Sequence, residues 1–248
     1  MSFDSLTPTE DEARQWRIAR AAILLMGNSG VRRDEAANAR RENLSVAVVT
    51  ATGSSTKSPT GSSTDLATEQ RSVWALGVIG KRRKQRTVPV SAATVAALRA
   101  HWADRELDFD AAWAEGPLIA PVVINGTDAS LAKHGDASGG KGGAPHQPHA
   151  PYAADALARL VRESVRRIAE ALLREGALSH DAHTKLIATS AHAFRHTFGT
   201  QTVARGMPID VAQRILGHAS LQTTSIYVRA ERQRMLDEAA KYYSEDAR

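Results

Sequence analysis

The stretch Ser190 to Tyr227, SAHAFRHTFGTQTVARGMPIDVAQRILGHASLQTTSIY, begins with a predicted helix that carries polar groups on one side. His192 and Arg195 are three residues apart, so one helix face presents an imidazole and a guanidinium together. Phe194 and Phe198 fall roughly opposite, at a spacing typical of core-facing residues. The pattern therefore predicts a helix that two aromatic rings anchor and that holds a cationic pair in place.

A second predicted helix follows and ends at a defined point. Pro208 suits its first turn, and Gly217 is a natural C-cap, which places His218 at an ordered helix terminus. Ser220 can cap a further short helix that carries Tyr227. The apolar stripe of the second helix consists of Ile209, Ala212, Ile215 and Leu216.

Upstream of this stretch, the sequence predicts more helices and a small sheet. The expected helices cover 10–26, with a turn at 28–30, then a short charged helix at 34–41, a helix at 92–103 that Ser91 caps, and a long helix from 153 to about 175. The expected strands cover 44–50, 73–79 and 87–90. We expect an α+β fold, mainly helical with a small antiparallel β-sheet, in a single catalytic domain over 1–248.

Two low-complexity segments interrupt this pattern. Residues 51–65 are rich in Ser, Thr and Gly, and residues 126–151 hold Gly, His, Pro and Ser with little apolar content, so both are predicted as flexible insertions. The second contains Gly135-x-x-x-x-Gly140-Lys141, which mimics a phosphate-binding loop. Gly142 stands where that motif requires Ser or Thr, so we expect no nucleotide cofactor.

Composition narrows the class of protein. The 248 residues carry a net charge of +5 and no cysteine, which is compatible with a polyanionic partner and excludes disulfides and Cys-ligated metals. The first residues are acidic and polar, unlike a signal peptide, and the apolar run 21–26 is too short to span a membrane. The sequence therefore predicts a cytoplasmic protein without a membrane partner.

Three motifs, taken in order, resemble the tyrosine recombinase (phage integrase) family. The first is Ser29-Gly30-Val31-Arg32-x-x-Glu35, the second is Val78-Ile79-Gly80-Lys81 with Arg86-x-Val88-Pro89, and the third is His192-x-x-Arg195, Leu216-Gly217-His218 and Tyr227. Each motif alone is weak. Their joint order and the nine-residue step from His218 to Tyr227 make the resemblance strong.

The resemblance implies a transient 3′-phosphotyrosine link between the chain and double-stranded DNA. Two guanidiniums can clamp the phosphate, and a phenol becomes a useful nucleophile only with help from a base and cations. No metal or ATP is needed, and homo-oligomers on DNA are expected. The catalytic residues would be Arg32 and Arg195 as the clamp, Tyr227 as the nucleophile, His192 to manage its proton, His218 as a hydrogen-bond donor to the phosphate and Lys81 as the acid.

Alternatives remain for several of these residues. Arg32 could simply pair with Asp34 or Glu35, and Lys84 could take the role of Lys81. His192 and His196 have a metal-ligand spacing, but the intervening Ala-Phe-Arg lacks a general base and adds a repelling cation. The arginines at 159, 162, 166 and 167 could form either a solvated face or a contact with the DNA backbone.

Alternatives also remain for the whole chain. Only 31 residues precede Arg32, too few for the N-terminal helical domain of typical family members, so we expect a fragment, a minimal form or a remnant. The leading function is site-specific recombination or integration. The alternatives are a type IB topoisomerase and a non-catalytic DNA-binding remnant of an integrase.

Overall fold

The computed structural model describes residues 9–51, 69–80, 83–122 and 150–217. Within these ranges, a mainly helical domain carries a small antiparallel sheet, which confirms the predicted α+β class. The helices are α1 (Glu10–Ser29), α2 (Arg33–Ala37), α3 (Ala92–Ala103), α4 (Ala154–Arg174), α5 (His180–Ile187), α6 (Ala191–Ala204) and α7 (Ile209–Leu216). The strands are β1 (Leu44–Ala51), β2 (Glu69–Ile79) and β3 (Gln85–Val90).

Helix α1 is the central element, and it extends further than the sequence predicted. It begins with a capping box between Thr9 and Glu12. It then continues through Gly27 and ends at Gly30, whose φ of 62° lies in the left-handed region. The predicted end at Gly27 and the predicted turn at 28–30 are therefore wrong. Gly27 lies inside the helix near its end, and a Cβ atom there would make only an ordinary van der Waals contact of 3.7 Å with the Phe194 ring.

The segment after α1 also differs from the prediction. The charged helix expected at 34–41 is only the five-residue α2, followed by a 3-10 turn over Arg41–Asn43. The side-chain amide of Asn38 donates to the Asp34 carbonyl at 2.7 Å. The same carbonyl also accepts from the Asn38 backbone amide at 3.1 Å, so Asn38 forms the C-cap of this short helix.

The sheet has the order β1-β2-β3, and both pairs of strands are antiparallel. Strands β2 and β3 begin four and two residues earlier than predicted, because their first residues pair across the ladder despite being polar. Leu44, Leu76 and Val88 lie opposite one another and are buried on the face that packs against the helices. Helix α3 follows β3 with the predicted bounds, and the Ser91 hydroxyl accepts from the Thr94 amide at 3.2 Å.

The core has two parts. The larger part joins α1, α3, α4 and the sheet, and its fully buried side chains include Ile18, Leu25, Leu98 and Trp102. The smaller part lies between α6 and α7 and contains Phe198, Val203, Ala212 and Leu216. The predicted insertions 51–65 and 126–151 lie outside the described residues, apart from Ala51 and the stretch 150–151. No described helix is both long and apolar enough to cross a membrane.

Candidate functional site

Arg195 is held inside the domain by backbone carbonyls. The residue is only 2% exposed. One terminal nitrogen of its guanidinium donates to the Gly30 carbonyl at 2.6 Å, and the other donates to the Leu216 carbonyl. Gly30 ends α1 and Leu216 ends α7, so Arg195 joins the ends of two helices from its own position in α6. As predicted, Phe194 and Phe198 face the core beneath it.

Arg32 reaches the same place from the segment after α1. Its guanidinium donates to a Glu35 carboxylate oxygen at 2.9 Å and to the Gly217 carbonyl at 3.3 Å. Its backbone amide donates to the other Glu35 oxygen at 2.7 Å. Arg195 therefore binds the Leu216 carbonyl and Arg32 binds the next carbonyl, that of Gly217. These neighbouring contacts bring the two predicted clamp arginines together.

The carboxylate of Glu35 is nearly buried and is shared by two arginines. Both terminal nitrogens of Arg86 donate to it, each at 2.6 Å. Burial by itself raises the pKa of Glu35, but the hydrogen bonds from Arg86 and from the Arg32 amide outweigh it and lower the pKa below the usual value. Glu35 is therefore ionised at neutral pH. A single negative charge faces two positive ones, so the arrangement keeps a net positive charge near Arg32.

His192 lies on the face of α6 that carries Arg195. Its ring meets the ring of His196 edge-on, with the centroids 4.5 Å apart. Burial of one side lowers the pKa of His192, and the positive charges of His196, Arg195 and Arg32 lower it further. The imidazole is therefore neutral at pH 7, the form that can accept a proton.

Arg32, His192 and Arg195 open onto one cleft of about 320 Å³, which also exposes Arg33 and Arg162. Its lining therefore contains four arginines and a single acidic residue. The other residues that line it are Val31, Asp34, Ala158, Ser190 and Ala191. Such a cleft is suited to a phosphate group, because guanidiniums donate bidentate hydrogen bonds to phosphate oxygens.

The arginines of α4 divide into two groups. Arg166 bridges Glu163 and Glu170 on the helix surface, and Arg167 also binds Glu163. Arg159 and Arg162 make no ion pair with another described residue, and Arg162 is the one that lines the cleft. The predicted basic face is thus a solvated, charge-balanced surface at its C-terminal half. In its N-terminal half, Arg162 faces the cleft without an ion-pair partner among the described residues, whereas Asp155 pairs with Arg33 at 2.7 Å.

The other three predicted site residues, Lys81, His218 and Tyr227, lie outside the described residues. The last described residue before His218 is Gly217, which caps α7 in the left-handed conformation, as the sequence predicted. The loop mimic at 135–141 also lies outside the described part. In the described ranges, no three His, Asp or Glu side chains come together in a way that could hold a metal ion.

Two residues of the site were not predicted as site residues. Glu35 was predicted as part of a motif and as a possible ion-pair partner of Arg32, a contact that the structure confirms, and Arg86 was predicted only as part of a motif. The signal for Glu35 was its i, i+3 spacing from Arg32. The pairing of Glu35 with Arg86 spans 51 residues, and no local pattern points to it.

The fold is a mainly helical domain in which three separate segments build a cationic cleft. The model of the phage integrase family matches residues 8–234, and the chain belongs to this family.

Two relatives agree with this assignment, and one of the solved structures that resemble the chain agrees with the fold. The chain is 31% identical over 163 residues to the tyrosine recombinase XerC of Myxococcus xanthus, covering 66% of this chain and 42% of that relative. For XerC of Pelobacter propionicus the identity is 28% over 163 residues, covering 65% and 39%. The crystal structure of the XerH site-specific recombinase bound to palindromic difH substrate, a post-cleavage complex, has a TM-score of 0.50 at 19% identity. That likeness covers 97% of this chain and 49% of that one, and it supports the fold. The chain thus spans less than half the length of these three proteins.

Proposed function

We propose that this chain cleaves and rejoins double-stranded DNA as a site-specific tyrosine recombinase. The observation that carries the proposal is the convergence of Arg32, Arg195 and a neutral His192 on one cleft. Two features of the comparisons support it: the family match and relatives that are named tyrosine recombinases. Double-stranded DNA is the proposed substrate, and assembly into homo-oligomers on DNA is part of the proposal.

The proposed reaction is a transesterification. The Tyr227 hydroxyl attacks the scissile phosphorus, and a phosphotyrosine bond to the 3′ end forms as the bond to the 5′ oxygen breaks. His192 accepts the phenolic proton, and Lys81 donates a proton to the departing 5′ oxygen. Religation reverses these steps with a 5′ hydroxyl from the same or a second duplex as the attacking group.

In this proposal, the arginines stabilise the transition state electrostatically. The non-bridging oxygens gain negative charge in the transition state, and preorganised donors that face them lower the barrier. Arg195 is fixed by the Gly30 carbonyl, and Arg32 is fixed by Glu35. Neither guanidinium therefore needs to reorganise when the phosphate enters. His218, directly after Gly217, is proposed to donate to the same phosphate.

The test is covalent capture on nicked duplexes whose flanking sequences are randomised. After cleavage beside a nick, the short fragment with the free 5′ hydroxyl diffuses away, so the phosphotyrosine intermediate cannot be religated and is trapped. The wild-type chain should form an adduct that survives denaturant, and sequencing the captured DNA would reveal its site. Tyr227→Phe removes only the hydroxyl, so it should bind DNA without forming the adduct. DNA binding without any adduct in the wild-type chain would instead identify a non-catalytic DNA-binding protein. Strand exchange between two captured duplexes would distinguish recombination from topoisomerase-like relaxation.

A further inference from the structure

Arg86 joins three elements of the structure although it does not line the cleft. It lies on β3 opposite Val78 of β2, close to the turn of the β2–β3 hairpin. Its terminal nitrogens hold both carboxylate oxygens of Glu35 at 2.6 Å each. Its Nε donates to the Ile215 carbonyl, near the end of α7, at 2.7 Å. One guanidinium thus binds the sheet to α2 and α7.

The surroundings of Arg86 leave room for an arginine and little else. A Cβ atom at Gly80 would lie 2.9 Å from Nη1 of Arg86, and one at Gly217 would lie 3.0 Å from its Cδ and 3.1 Å from its Nε. Only 12% of the Arg86 side chain is exposed. Two glycines therefore shape the space in which the guanidinium lies, which fixes its plane as well as its position.

Arg86 contacts one hydrogen-bond partner of Arg32 directly and binds a carbonyl close to the other. The Glu35 carboxylate that it grips also accepts from Arg32 at 2.9 Å. The Ile215 carbonyl that it binds lies two residues before Gly217, whose carbonyl accepts from Arg32 at 3.3 Å. Any shift of Arg86 would therefore move the two acceptors that orient the Arg32 guanidinium.

We propose that Arg86 is a positioning residue that sets the orientation of Arg32 towards the scissile phosphate. The inference rests on the proposed function, because its readout is DNA cleavage. Residues that fix a functional side chain from behind must hold it to a fraction of an ångström. A lysine carries the same charge but lacks the planar fork, so it cannot grip both Glu35 oxygens and the Ile215 carbonyl together.

The experiment is a double-substitution cycle on a nicked duplex that the wild-type chain captures. Arg86→Met should leave DNA affinity unchanged and should slow adduct formation about 10- to 100-fold, the range typical of lost supporting contacts. Arg86→Lys should recover only part of that loss. In an Arg32→Lys background, Arg86→Met should slow the reaction by no more than about 3-fold, because residues that act as one unit are not additive.

Arg41→Met is the matched control. Arg41 is also a half-buried arginine, and it donates to the carbonyls of Phe109 and Leu44 at 2.8 Å each, away from the cleft. This variant should lower the melting temperature without slowing cleavage by the folded protein, and its effect should be the same in both Arg32 backgrounds. Wild-type rates in either Arg86 variant would overturn the inference alone, as would an equal loss in both Arg32 backgrounds. A wild-type chain that forms no adduct would overturn the proposed function, and the inference with it.

Discussion

The role of Arg195 in the structure changes how its substitution must be interpreted. A charged group that is 2% exposed costs free energy unless its donors find partners. Here the carbonyls of Gly30 and Leu216 provide them. Arg195 is therefore both a candidate phosphate ligand and a tie between α1 and α7, so loss of activity in an alanine variant could reflect loss of folding.

We expect Arg195→Lys to reduce the free energy of unfolding by roughly 2–3 kcal/mol, because an ammonium cannot span both carbonyls and hydrogen bonds to charged groups are worth about that much. Urea denaturation would measure the change. Arg214→Lys is the matched control, since Arg214 is 83% exposed and pairs only loosely with Asp210 at 3.7 Å. An equal change in both variants would contradict the buried-tie interpretation.

The proposed role of His192 predicts a specific titration. Burial and the charges of His196, Arg195 and Arg32 lower its pKa, so the neutral imidazole persists to a lower pH than in a free histidine. The fraction able to accept a proton falls as the pH drops through that lowered pKa, and cleavage should fall with it.

Replacing His196 with Gln removes one of these charges, so the pKa of His192 should rise towards its ordinary value. NMR titration of the His192 Cε1–H signal would measure this rise. His183→Gln is the control, because His183 is on α5 and is not among the charges that act on His192. A pKa of His192 that is the same in wild type and His196→Gln would show that His196 carries no charge in the relevant range.

At the scale of elements, the junction of α1, α6 and α7 depends on one glycine. Gly30 has φ +62°, and a Cβ atom there would lie 2.5 Å from Cδ1 of Phe198 and 2.9 Å from Cδ2 of Leu216. Gly30→Ala should therefore destabilise the fold by roughly 2–4 kcal/mol, combining left-handed strain with overpacking. Gly176→Ala separates the two effects, because Gly176 has φ +71° with nothing within 4 Å of its Cβ position.

Thermal unfolding of both variants would measure the difference. Gly176→Ala should lose only about 1–2 kcal/mol, the cost of the backbone conformation. If Gly30→Ala were no worse than Gly176→Ala, the close packing of Phe198 against the end of α1 would not contribute to stability.

Elements with strong local signals could be predicted from the sequence. Helix α3 has its predicted bounds because Ser91 caps it, and α7 ends at Gly217 because the left-handed cap requires glycine. The end of α1 could not be predicted in this way. Gly27 and Gly30 both resemble C-caps in the sequence, and only the structure shows that Gly30, with φ +62°, is the one in the left-handed conformation.

In the candidate site, too, some contacts follow from local sequence signals and others depend on tertiary packing. The pairing of His192 with Arg195 follows from helical spacing, and the position of Arg32 followed from a family motif. The Glu35–Arg86 ion pair joins residues on different elements. Its existence depends on how the β2–β3 hairpin packs against α2, and that is a property of the tertiary structure.

At the scale of the whole molecule, the net charge of +5 does not show where unpaired positive charge lies. Much of the arginine content is neutralised locally, as in the pairs of Arg17 with Asp104 and of Arg99 with Asp110. Two of the four arginines that line the cleft are also paired, Arg32 with Glu35 at 2.9 Å and Arg33 with Asp155 at 2.7 Å. Arg162 differs, because it has no ion-pair partner among the described residues. Arg162 therefore adds unbalanced positive charge beside the arginines of the proposed site.

This distribution predicts which arginine of α4 contributes to DNA binding. Arg162 lines the cleft and has no ion-pair partner among the described residues, whereas Arg166 is held by Glu163 and Glu170. A side chain that neutralises one phosphate releases about one counterion, so its loss should reduce the slope of log affinity against log salt by roughly 1.

Arg162→Ala should show that reduction and weaker binding, because it removes an uncompensated charge beside the cleft. Arg166→Ala, one turn further along the same helix, should change the slope little, because its charge is already balanced by two carboxylates. Fluorescence anisotropy of a labelled duplex over a series of salt concentrations would measure both slopes. A wild-type slope in Arg162→Ala would remove Arg162 from the proposed DNA path. Equal reductions in both variants would instead show that the ion pairs of Arg166 do not keep it from DNA.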